Sequence, residues 1–177
     1  AAAVTILVVV ASQFPGEEEE IADRNFVAVV SNAEGALWEG DDAAVLVGSA
    51  LEPGVIELCD GWIEIELDSG VHIVMDGPAR LELVDENHGI LHEGRLSAHV
   101  PPQAIGFTVT TPGMDVVDLG TRFGVNVSPG SGPEVHVFDG EVEAISLNRK
   151  DRELITSELT RRLDRTSGKL EEVPFDP

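Results

Sequence analysis

FTVTTPGMDVVDLGTRFGVNV, residues 107–127, holds two runs of alternating apolar side chains around a Leu119-Gly120-Thr121 corner. Phe107, Val109 and Thr111 share one face of an extended chain, and Phe123, Val125 and Val127 share one face of a second. Thr108, Thr110, Arg122 and Asn126 point the opposite way, so two half-buried strands are predicted. Gly120 suits a sharp bend or a positive φ that Leu119 or Thr121 would resist. The stretch contains no nucleophile with a base, no metal cage and no phosphate cradle. Any chemistry it supports is recognition.

The same alternation continues on both sides. From Phe26 onward short apolar runs recur between Gly, Pro, Asn and Asp punctuation, the mark of an all-β sandwich, barrel or solenoid. Ile63, Ile65 and Leu67 alternate with Glu64 and Glu66 before an Asp68-Ser69-Gly70 turn. Leu81 and Leu83 alternate with Arg80 and Glu82, and Asn87 to Gly89 reads as another turn. Leu96, Ala98 and Val100 alternate with Arg95, Ser97 and His99 until Pro101 and Pro102, which cannot donate to a ladder, end the strand. SPGSGP, Ser128 to Pro133, joins two strands able to pair as a hairpin. A loose repeat of strand, Asp-Gly or Glu-Gly, and strand falls at Asp60, Asp76, Glu93 and Asp139, with no fixed period.

A chain of 177 residues can bury a full core without a disulfide or metal. Its charge of −22 is lopsided, because the segment from Arg149 onward is neutral and the body carries the whole excess. Such a body repels phosphate backbones and anionic lipid, which argues against direct nucleic-acid binding. Its acidity keeps the domain soluble, or else offers a surface to a basic partner or loosely held divalent cations. Cys59 is the only cysteine and is expected to be a buried, inert thiol, since no His or Lys stands beside it.

Candidates for catalysis or metal binding are thin. His88 and His92 stand four apart with Glu93 following, but Gly89 lies between them in a turn-then-strand context, so strand-face histidines are expected and no metal site or cofactor. The acidic pairs Asp41, Asp42 and Asp85, Glu86 lack the spacing of a calcium loop. Trp38 and Trp62 sit where packing is the commoner role. No catalytic residue is identified, and an enzyme is not expected.

The chain opens with AAAVTILVVVA, eleven residues against the roughly twenty that span a bilayer. This run reads as the end of a membrane anchor, a signal-peptide core or a buried strand. The tail sets two patterns against each other. Ile155, Leu159 and Leu163 are four apart, as on an amphipathic helix, whereas LTRRLDRTSGKLEEVPF carries Ser-Gly where a hairpin would turn.

FTVTTPGMDVVDLGTRFGVNV followed by VHVFDGEVEA, residues 135–144, resembles the FecR family of bacterial membrane-anchored sigma-factor regulators. The shared pattern is a strand ending in Thr-Pro, then Leu-Gly-Thr, an aromatic and a second strand, then a third closed by Gly and Val. Phe107, Thr111, Leu119, Gly120, Thr121, Phe123, Gly140 and Val142 carry it, as structural positions. Leu46 to Val100 also looks like the family's earlier strands, so the resemblance runs from about Val27 to Ala144. It implies an all-β fold, a rolled sandwich or irregular β-solenoid-like stack of short strands with a C-terminal hairpin. It implies a truncated anchor or signal-like segment over 1–14, an acidic linker over 15–25, and a FecR-like β domain over 26–175. The implied function is extracytoplasmic signal relay through protein contacts, on the periplasmic or cell-surface side and tethered to the inner membrane by an N-terminal helix. Partners would be an outer-membrane receptor or other envelope protein, a sigma factor being reached only through a cytoplasmic segment ahead of the anchor. Arg149, Lys150 and Arg152 would form an exposed basic knob for partner contact. The alternative reading is a β-rich envelope module binding polysaccharide or calcium.

Overall fold

The computed structural model describes residues 25–38, 46–147 and 151–174. In chain order the strands are β1 Ala28–Trp38, β2 Ala50–Leu51, β3 Gly54–Leu67, β4 His72–Asp85 and β5 His88–His99, followed by a 3-10 turn at Pro102–Ala104. Then come β6 Thr108–Thr111, β7 Met114–Asp118, β8 Arg122–Val127, β9 Glu134–Asp139, β10 Glu141–Ser146, β11 Arg152–Thr156, β12 Thr160–Leu163 and β13 Leu170–Glu172. The fold is all-β. All thirteen strands belong to one sheet, and its ends do not meet. Every pairing is antiparallel but one, β5 with β6.

The sheet forks at β5. One edge of β5 carries β4 along its length, while the other edge is shared: His88–Ile90 pair with β6 and Gly94–His99 pair with β8. One arm continues β6, β7, β10, β11, and the other continues β8, β9, β12, β13. Side chains from both arms meet in a single core, with Val109, Val116, Val142 and Ala144 from the first and Phe123, Val125, Val135 and Val137 from the second, joined by Ile63, Leu81 and Leu91 of β3, β4 and β5. The sheet is therefore folded over on itself into two layers. Phe107 and Phe123 are the only aromatics among its largest fully buried side chains, and Val, Leu and Ile make up most of the remainder.

The fold-over runs along a line of glycines. The Asp-Gly and Glu-Gly pairs at residues 60, 76 and 93 do not separate strands; they crease long ones, since β3 and β4 are 14 residues each and β5 is 12. Register shifts fall between Leu58 and Trp62 and between Asp76 and Arg80, which marks β-bulges. The backbones touch there. A Cβ on Gly61 would stand 2.3 Å from the Gly35 carbonyl carbon, one on Gly77 would stand 2.7 Å from the Asp60 nitrogen, and one on Gly94 would stand 2.4 Å from the Ala79 Cβ. No residue but glycine fits these sites. Inward parity also switches across two of the creases, from Leu58 to Ile63 and from Leu91 to Leu96. Because the bulge at Cys59 to Gly61 swings out of the ladder, Cys59 is exposed, which corrects the expectation of a buried thiol.

Other expectations meet the structure directly. The loop at 128–133 joins β8 and β9 as a hairpin. The turn after β4 is Glu86–Asn87, so His88 and Gly89 already belong to β5. The tail is strand and not helix: Ile155 and Leu163 are both buried, on β11 and β12, and their helix-like spacing comes from two short strands broken at 157–159. β12 pairs with β13 around the Ser167-Gly168 turn. Arg161 ties this end together, its guanidinium reaching Glu153 on β11 at 2.8 Å and Glu172 on β13 at 3.2 Å. The apolar run 1–11, the linker 15–24, Asp41, Asp42, Arg149 and Lys150 lie outside the described residues.

Candidate functional site

The quoted stretch contains three strands, not two. Met114 to Asp118 forms β7, which pairs with β6 and sends Met114, Val116 and Asp118 inward. Its signal was a short alternation ending in an acid, and Asp118 is the residue that reading the sequence missed. Asp118 is fully buried and accepts a hydrogen bond from the Gly120 amide at 2.8 Å and another from the Thr121 hydroxyl. Burial pushes its carboxyl up to about 6, outweighing the hydrogen bonds from the Gly120 and Thr121 backbone, which act to lower it.

The corner is where the chain crosses between layers. Gly120 has φ +103° and Gly140, at the parallel crossing from β9 to β10, has φ +85°. The two are packed together, since a Cβ on Gly140 would lie 2.4 Å from the Gly120 carbonyl oxygen. Ser157, at the third crossing, accepts from the Gly140 amide at 3.0 Å. Phe107, Phe123 and Val142 are buried beside these corners, while Thr111, at the opposite end of the β6–β7 hairpin, is buried and donates to the Met114 carbonyl at 2.7 Å. Thr121 is buried, but Leu119 is 44% exposed and stands with Ile105, 55% exposed, around Gly120. Leu119 and Ile105 thus make a small apolar tip at the corner.

The other candidates are dispersed. His88 and His92 lie on one face of β5 and turn to separate partners, the Thr110 hydroxyl at 3.1 Å and Glu82 at 3.0 Å. Four residues along a strand separate them by about 13 Å, too far to share one ion. Among the described residues no three His, Cys, Asp or Glu side chains converge as a metal group. Trp38 and Trp62 are partly buried beside the crease. Arg152 opens β11 and pairs with Glu143 at 3.3 Å, so it stands on a strand and not in a loop. β11 is the outer strand of its arm, bonded to β10 alone, with Leu154 51% exposed on it.

The outer face of the second layer carries a shallow concave surface. A depression of about 270 Å³ lies over Ser97 and Gly124, neighbours across the β5–β8 ladder. Asp76, Arg95, Asn126 and Glu134 follow one another across β4, β5, β8 and β9 along one side. Phe138 leans over Gly124, whose Cβ would meet its ring at 3.2 Å, and the Arg122 guanidinium sits over that ring at 5.5 Å.

A folded-over β-sheet whose strands cross between layers at packed glycine corners defines the class. Residues 59–143, just under half of the chain, match the family model described as FecR protein. Two crystal structures titled as a "putative anti-sigma factor" from Parabacteroides distasonis ATCC 8503 share the fold, with a TM-score of 0.58 and 19% identity over 69% of this chain. The chain spans 60% of the length of those structures. No curated protein matches the sequence. Among the described residues no helix is long and apolar enough to cross a membrane.

Proposed function

We propose that this chain is the extracytoplasmic signal-relay part of a membrane-anchored FecR-type regulator of a sigma factor and that it acts by protein contact, not catalysis. The observation that carries this reading is the FecR-domain match over residues 59–143. The body is the β domain over 26–175, with 15–25 as an acidic linker and 1–14 as the anchor's end, on the periplasmic or cell-surface side of the inner membrane. An outer-membrane receptor or another envelope protein delivers the signal, and a segment ahead of the anchor carries it to the sigma factor. Two surfaces suit such contact. The outer edge of β11 presents unpaired backbone groups for an added strand, with Leu154 and Arg152 beside it, and Arg149 and Lys150 precede it in sequence. Leu119 and Ile105 form the second, an apolar tip at the corner.

Cross-linking in intact bacterial envelopes followed by affinity capture tests the reading. Capture of an envelope receptor or a sigma-pathway protein is expected, and Leu154→Asp should weaken it while leaving the melting temperature within a few degrees. Recovery of neither class of protein from cells that express the chain overturns the proposal.

A further inference from the structure

Six arginines stand on the strands, and four of them are paired: Arg80 with Glu57, Arg152 with Glu143, Arg161 with Glu153, and Arg162 with Glu134. Arg95 and Arg122 make no ion pair with any described residue, although the chain holds 33 acids against 11 basic residues. Both are exposed; Arg95 lines the depression over Ser97 and Gly124, and Arg122 sits over the ring of Phe138, which lines that depression, while itself facing a neighbouring one with His99 and Asp139. Arg122 lies one strand over and four residues along from Arg95, so the two are about 14 Å apart. Each also has an acid opposite it in the ladder, Asp76 and Asp139, that does not engage it. A shallow trough therefore has the Arg95 guanidinium with Asp76 and Glu134 at one end, amide, hydroxyl and imidazole groups at Asn126, Ser97 and His136 along it, and Arg122 just beyond its far end, over the Phe138 ring. The missing side chain of Gly124 makes the floor, and Phe138 supplies an apolar edge.

We propose that this trough binds a short acidic oligosaccharide, a glycan bearing uronic acid groups. Guanidinium forks suit carboxylates about one trough-length apart. Asp76, Asn126 and Ser97 suit hydroxyls, which donate and accept, and an aromatic edge over a glycine floor suits the apolar face of a sugar ring. An acidic peptide fits less well. The trough lies on a sheet face whose backbone groups are already paired, so it offers a peptide backbone nothing to bond.

Titration calorimetry on the intact chain tests this with galacturonate and mannuronate trimers, the corresponding neutral trimers and a short poly-glutamate peptide. At least one acidic trimer should bind, more weakly as salt rises, and Arg95→Gln and Arg122→Gln should each weaken it at least about tenfold. Gly124→Leu should remove binding, while Arg80→Gln, on the other layer, should leave it unchanged. Silence with both acidic trimers at millimolar concentration overturns the proposal, as does equal binding of the neutral trimers, tighter binding of the peptide, or indifference to both arginine changes. The relay reading needs no glycan and survives any of these failures.

Discussion

Burial holds the Asp118 carboxyl at about 6, above its ordinary 3.8, and the sign of that shift fixes a pH dependence. A raised carboxyl binds its proton more tightly folded than unfolded, so its stabilising contribution is complete below about pH 4 and is lost as pH rises through about 6. Urea unfolding of the natural chain and of Asp118→Asn should therefore diverge with pH. Between about pH 4 and pH 7 the natural chain should lose on the order of 3 kcal/mol relative to the variant. A constant difference across that range would mean Asp118 is not desolvated as described. The corner itself was legible, because Gly120 between two alternating runs announces a bend. Asp118 was not, since an acid at the end of a strand reads as solvent-facing until the Gly120 amide and Thr121 hydroxyl are seen to turn back onto it.

Strands β3, β4 and β5 stay continuous through a fold because glycine lets their backbones touch. Gly61→Ala and Gly94→Ala, which place a Cβ 2.3 Å and 2.4 Å from neighbouring atoms, should each cost about 3 kcal/mol or more in chemical denaturation. Gly130→Ala is the control. It has a similar φ of +80° but open space around it, so about 1–2 kcal/mol of backbone strain is expected. Comparable losses at all three would refute close packing as the reason for the creases. At the other end, Arg161→Met should free the terminal hairpin, costing about 2 kcal/mol and raising amide hydrogen exchange over 160–172 before the rest of the sheet responds. The Asp-Gly and Glu-Gly pairs were visible in the sequence, but as ends of strands. Glycine after an acid is chemically the same in a hairpin turn and in a crease; only the partner strand on each side distinguishes them.

Across the whole molecule, the chain's charge of −22 means that self-repulsion opposes the compact state. The melting temperature should rise by several degrees between low salt and about 0.5 M NaCl, as screening shortens the Debye length. Insensitivity to salt would show that local pairs such as Arg162 with Glu134 already neutralise the charges that matter. The sequence by itself determined that the chain from Phe26 onward is rich in strands, which side chains face inward where the alternation is clear, as at Ile63 to Leu67 and Leu96 to Val100, and where Pro101 and Pro102 stop β5. Those follow from a period of two and from residues that cannot donate or cannot avoid a positive φ, all properties of neighbours along the chain. Only the tertiary structure decided that β5 serves both layers, that three acid-glycine pairs crease strands, that Cys59 is pushed outward, and that Arg95 lines a trough while Arg122 stacks on the Phe138 ring beside it, neither with an acid on it. These depend on which strands lie side by side, and pairing across the chain is set by the closing of a common core, which no local pattern encodes.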